Sequence, residues 1–119
     1  MALNITDESI GGVIVVHLSG AIYFDEESRF LRAHVKDLLD ESRQIVLDLR
    51  NVTRIDSSGL GTLVALFVSA RKVGGDIKLA SLGNHIKEAL RITRLVAVFE
   101  IFEKTEDAVA SYHRAATAG

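Results

Sequence analysis

The chain has 119 residues, of which 48% are hydrophobic and 25% charged, with a formal net charge of −2. That length suits one domain with one core, and so slight a charge gives no broad electrostatic reason to expect nucleic acid or an acidic membrane as partner. There is no cysteine, which excludes disulfides, thiolate catalysis and cysteine-ligated zinc.

The opening MALNITDESI has neither the basic region nor the apolar core of a signal peptide. The longest apolar stretch, around 60–70, is about half the roughly 20 residues that span a bilayer. The expectation is a cytoplasmic protein without membrane insertion. No proline, linker, charge block or repeat divides the chain. Residues 1–119 therefore read as a single domain, with a frayed tail at about 115–119.

In chain order, Gly11-Gly12 separates a short β-like segment, about 2–8, from VIVVHLSG, which predicts an opening hairpin. Asp25 is placed to cap a helix, with Glu26 and Glu27 at the positive end of its dipole. Leu31, Val35, Leu38 and Leu39 follow at helical spacing. QIVLDL is a strand, followed by a short RNVTR turn. A second helix starts at Asp56 or Ser57, carries Arg71 and Lys72 in its last turn and stops at Gly74-Gly75. DIKLASL is the next strand, and Asn84 caps a short helix through Leu90. VFEIF is the last strand, and Thr105 caps a final helix with Ala108, Val109 and Tyr112 on one side.

Strands alternating with helices after a hairpin predict an α/β fold, a mixed, mainly parallel sheet of about four or five strands with about four helices. Ile45, Leu47 and Leu49 alternate with Val46, Asp48 and Arg50, and Ile77 and Leu79 with Lys78 and Ala80. Phe99 and Ile101 alternate with Val98, Glu100 and Phe102, and His17 falls out of step with Ile14, Val16 and Leu18. Strands buried on both faces would read as unbroken apolar runs, so most helices are expected on one face.

The residues that could carry chemistry gather in RIDSSGLG, Arg54 to Gly61. A nucleophile elbow needs glycine two places before the serine, and Ile55 and Asp56 stand there instead. His17, His34, His85 and His113 lie in no triad setting and share no ligand spacing. Val64 occupies the third glycine position of a dinucleotide fingerprint, and no Gly-Lys-Ser/Thr forms a P-loop. A plain helix cap accounts for Asp56 or Ser57, because one side-chain oxygen on a first-turn N–H stabilises by about 1 kcal/mol. It leaves the second hydroxyl and both glycines unexplained, each glycine costing up to about 1 kcal/mol relative to alanine. The competing reading is a serine that another protein approaches closely, with Gly59 and Gly61 keeping side chains out of its way.

The helix that follows is apolar nearly all round, where a surface helix has a polar stripe. Leu60, Leu63, Val64 and Phe67 are expected in the core. Thr62, Leu66 and Ser69 are expected nearer the outside, with Leu66 as a partner contact and the apolar surface leaving room for a dimer; the alternative is a central helix covered by its neighbours.

IDSSGLG after VLDL and RNVTR resembles the bacterial anti-sigma factor antagonists, members of the STAS domain family. The likeness runs over nearly the whole chain and includes the opening hairpin, the GGDIKL exit from the second helix and the FEIF strand before a helix opening TEDA. It implies a protein-binding module with no catalysis and no cofactor of its own, ATP belonging to its partner. It implies phosphorylation of Ser57, with Ser58 as neighbour, by a partner that is both anti-sigma factor and serine kinase. The unphosphorylated form would sequester that partner and free a sigma factor for transcription, and a protein phosphatase would restore it after phosphorylation. Implied partner contacts are Asp56, Ser57, Ser58, Gly59, Leu60 and Gly61, with Tyr23 and Asp25 from the neighbouring loop and no direct nucleic acid. A monomer or weak homodimer fits this picture.

Two positions depart from the family's pattern. Tyr23 stands where a Gly-x-Leu-Asp motif would place its aspartate, with Asp25 two places later. Arg94-Leu95 replaces a Gly-Leu pair before the last strand. Lys87, Arg91 and Arg94 form a basic group that is either a solvated helix face or a binding patch. The alternative within the family is a non-switched scaffold, a subunit of a stress-sensing complex or an accessory subunit of a lipid-transport ATPase.

Overall fold

A computed structural model describes the backbone of residues 3–23 and 26–118, and the side chains of these except 26–27 and 115–118. The chain opens with β1 (Asn4–Ile10) and β2 (Val13–Ile22), antiparallel partners from Asn4 opposite Ser19 to Ile10 opposite Val13. Gly11 and Gly12 join them at φ +56° and +86°, the left-handed pair that a two-residue hairpin turn requires. Then follow α1 (Glu26–Leu38), β3 (Gln44–Ile55), α2 (Ser57–Lys72), β4 (Asp76–Ala80) and α3 (Asn84–Ile92). A 3-10 turn (Leu95–Ala97), β5 (Ile101–Phe102) and α4 (Thr105–Ala118) complete the chain.

The five strands form one sheet in the order β1-β2-β3-β4-β5, parallel everywhere except at the opening hairpin. The mixed α/β sheet expected from the alternation is the one observed. Its front face carries Ile14, Val16, Leu18, Ile45, Leu47, Leu49, Ile77 and Leu79. Leu31 and Val35 of α1, Leu63 and Leu66 of α2, and Ile86 and Leu90 of α3 bury that face. On the back, Val13, Val15, Val46 and Ala80 are covered by Ala108, Val109 and Tyr112 of α4. Three helices on one face and one on the other account for the half-polar alternation, because α4 leaves His17, Asp48 and Arg50 beside it rather than beneath it.

Lys78 is the exception on the back face, 5% exposed. Its Nζ donates to Ser111 Oγ at 2.7 Å, lies 4.1 Å from the Tyr112 ring centroid and stands 3.7 Å from Glu100. A buried ammonium needs such partners to offset its lost hydration.

Several boundaries differ from expectation. β1 begins and ends two residues later. RNVTR is not a turn: β3 runs on through it, and Ser19, Gly20, Ala21 and Ile22 pair with Asn51, Val52, Arg54 and Ile55 across two register irregularities. VFEIF contributes only Ile101–Phe102 to the sheet, because the chain first makes the 3-10 turn. β4 stops at Ala80, before Ser81 at φ +59°. Gly83, not Asn84, is the N-cap of α3, and it brings no side-chain bond. Thr105 is the first residue of α4, and that helix continues to Ala118 through most of the segment expected to fray. Asp25, expected to cap α1, lies outside the described residues.

Candidate functional site

The loop from β3 into α2 presents the two serines. Ile55 is buried and pairs with Ile22, so the parallel register brings Tyr23 and Asp56 out of the sheet at the same edge. Asp56 is extended (φ −102°, ψ −177°), and its Oδ1 accepts the Gly59 N–H at 2.7 Å. Its carbonyl accepts the Leu60 N–H at 2.9 Å. Asp56 is therefore the cap, and Ser57 and Ser58 are the first two helical residues. Both serines are exposed. Neither hydroxyl is needed as a cap, because the aspartate already fills that role. The peptide N–H groups of a first turn have no carbonyl four residues back, which leaves an anion-tolerant end beside Ser57.

Gly59 and Gly61 turn out to differ. A Cβ on Gly59 would stand 2.1 Å from the Ile22 carbonyl oxygen and 2.7 Å from Ile55 Cγ1, while one on Gly61 would meet nothing within 4 Å. Gly59 thus seats α2 on the end of β2 and is buried, correcting the expectation that it clears a path for a partner. Only Gly61 opens outward.

The outward orientation expected for Thr62 and Leu66 is also corrected. Thr62 is buried and its Oγ1 donates to Ser58 O at 3.1 Å. Leu66 is 1% exposed and belongs to the front core, so it offers no partner contact on this surface. The side of α2 that does face outward runs from Ser57 and Ser58 through Gly61 and the half-buried Ala65 to Val68, which is 45% exposed. Ala65 and Val68 went unremarked in the sequence, although counting four, seven or eight and eleven residues from Ser57 reaches them. Leu60 is buried beneath this stripe. Tyr23 is 37% exposed at the same edge, and its carbonyl accepts the Ser28 hydroxyl.

Three of the four histidines have partners other than the two serines. His17 is bonded to Glu8 and Asp48, His34 to Asp7, and His113 to the Gly11 carbonyl. Among the described residues no trio of His, Cys, Asp or Glu is gathered to hold a metal ion, and no helix is long and apolar enough to cross a membrane. A cleft of about 540 Å³ lies on the back face beside α4, lined by Glu8, His17, Asp48, Arg50 and Glu106 among others. It is across the sheet from α2.

The family model for the STAS domain matches residues 4–108. The chain belongs to the STAS domain family. Among its relatives is the anti-sigma-B factor antagonist of Bacillus subtilis, 28% identical over 109 residues that make up 92% of this chain and 99% of the relative. High affinity sulfate transporter 2 of Stylosanthes hamata is 27% identical over 88% of this chain, which is 18% of the transporter. The anti-sigma factor antagonist SpoIIAA of Bacillus shares the fold at 16% identity. Its unphosphorylated form gives a TM-score of 0.71, covering 93% of this chain and 98% of SpoIIAA. Its phosphorylated form gives 0.72, covering 92% and 99%. STAS members are thus found both as small regulators matched from end to end and as parts of larger transport proteins.

Proposed function

We propose that this STAS protein is an anti-sigma factor antagonist whose partner binding is switched off by phosphorylation of Ser57. Unphosphorylated, it sequesters an anti-sigma factor that is also a serine kinase, and so frees a sigma factor. Phosphorylated, it releases that partner until a phosphatase restores it. The observation that carries the reading is the division of labour at the start of α2: Asp56 caps the helix, which leaves the Ser57 hydroxyl exposed and free of a structural task.

Simple electrostatics supports a switch at this point. A phosphate adds about −1.5 to −2 charges. At the positive end of a helix dipole that charge is favourable by roughly 0.3–1 kcal/mol, so the fold need not change. The same charge stands next to Asp56 and at the head of the Gly61–Ala65–Val68 stripe. Across a packed interface a misplaced like charge costs several kcal/mol, and about 4 kcal/mol weakens binding close to a thousandfold. Bulk and repulsion at one residue therefore suffice. SpoIIAA, solved in a phosphorylated form on the same fold, lends support by analogy, as does the match to an anti-sigma-B factor antagonist over 99% of that relative.

The test is phosphosite mapping after incubation with the cognate ATP-binding anti-sigma kinase. Phosphate is expected on Ser57, with Ser57→Ala unmodified and Ser58→Ala modified as in the wild type. Phosphate on Ser58 alone, or none on either serine, would count against the assignment.

A further inference from the structure

His17 sits in the middle of β2 and points to the back face, away from α2. Both of its ring nitrogens meet carboxylates. Nδ1 is 2.6 Å from Asp48 Oδ2 on β3, and Nε2 is 2.9 Å from Glu8 Oε1 on β1. A neutral imidazole carries a single N–H, whereas the imidazolium carries two. Only the protonated ring can donate to both carboxylates at once. Asp48 is held for the purpose: its Oδ1 accepts the Arg50 backbone N–H at 3.0 Å, and its side chain is 13% exposed. We propose that His17 is a proton-operated clamp on the edge strand: protonated, it ties β1 through β2 to β3, and deprotonated, it releases one carboxylate and lets β1 loosen.

The strand it would govern is suited to such control. β1 is at the edge of the sheet, with β2 as its only strand neighbour among the described residues and most of its side chains exposed. On loss of the proton, Glu8 and Asp48 would flank the ring with no cation between them. The other charged or titratable groups lining the cleft that His17 faces are Arg50 from β3 and Glu106 and His113 from α4. On the front face a second pair holds β1 independently, with His34 Nε2 of α1 at 2.8 Å from Asp7 Oδ2.

Burial works against the charged ring, but the bonds and charges of Glu8 and Asp48 outweigh it, so His17 titrates above its ordinary value of 6.5. The sign follows directly. A histidine whose folded pKa is raised contributes stability that is complete below the unfolded value and lost as pH rises through the folded value. Docking of β1 is therefore tightest in mild acid and slackens as His17 loses its proton.

The experiment combines an NMR titration of the histidine rings with amide exchange across β1 and β4, each amide rate divided by its intrinsic rate at that pH. In the wild type, protection of β1 relative to β4 is expected to fall across the His17 titration, by about tenfold for each unit that His17 titrates above its unfolded value. Glu8→Gln should lower the His17 midpoint and remove the step, and His17→Gln should remove it while leaving β4 protected. His34→Gln should leave the step at the His17 midpoint. Constant β1 protection through the titration, or an equal fall in His17→Gln, would overturn the clamp.

Discussion

A methyl group added at Gly59 would stand 2.1 Å from the Ile22 carbonyl oxygen, whereas one added at Gly61 would meet nothing within 4 Å. Gly59→Ala is therefore expected to destabilise by roughly 1–3 kcal/mol or more, since backbone must shift to admit the methyl. Gly61→Ala removes a mid-helix glycine in open space and should stabilise by about 0.5–1 kcal/mol. Urea melts of the two variants check both signs. If Gly61 leaves room for a partner, the stabilised Gly61→Ala protein should nonetheless bind it more weakly. In the sequence these glycines look alike, because spacing says nothing about which of them lies under β2. Arg94 was more legible. The family's pattern has glycine there, and Arg94 adopts φ +64°, a left-handed conformation that costs a side-chain-bearing residue roughly 1–2 kcal/mol. Set against glycine's greater chain entropy of roughly 0.5–1 kcal/mol, Arg94→Gly should raise the melting midpoint by the equivalent of about 0.5–1 kcal/mol.

At the scale of elements, α4 docks on the back face through Ala108, Val109 and Tyr112. Tyr112 is buried, and its hydroxyl donates to the Ile45 carbonyl at 2.9 Å. Burial and the negative charges of Asp76 and Glu100 push its pKa well up, so it remains a donor at any working pH. Tyr112→Phe leaves that carbonyl without its side-chain donor, and a loss of about 1–2 kcal/mol is expected, read as a lower denaturant midpoint with an unchanged slope. The side by which α4 docks is legible in Ala108, Val109 and Tyr112, but not the face of the sheet it takes. Nor is the length of β3. Arg50, Asn51, Thr53 and Arg54 are exposed and read as a polar turn, yet their backbone continues the ladder beside β2. β5 failed in the opposite way: Val98 looks like strand but is 39% exposed beyond the 3-10 turn. Periodicity reports which side chains are covered, and along these segments cover and pairing part company. The orientation of α2 was illegible for a related reason, since a helix apolar all round offers no stripe to say which way Leu66 points.

For the whole molecule, the central expectation is a switch that leaves the fold alone. Asp56, not Ser57, completes the cap, and the charge is accepted by the helix dipole. Ser57→Asp should therefore change unfolding free energy by less than about 1 kcal/mol, and its far-UV circular dichroism should match the wild type. A large loss of stability would mean that Ser57 supports the fold after all. The decisive measurement is the affinity of four forms for the cognate anti-sigma kinase by titration calorimetry: wild type, Ser57→Ala, Ser57→Asp and protein fully phosphorylated on Ser57. The first two should bind alike, Ser57→Asp at least about a hundredfold more weakly, and the phosphorylated form about a thousandfold more weakly. Equal affinity across all four would contradict the switch and leave Ser57 as an exposed residue in the first turn of a helix.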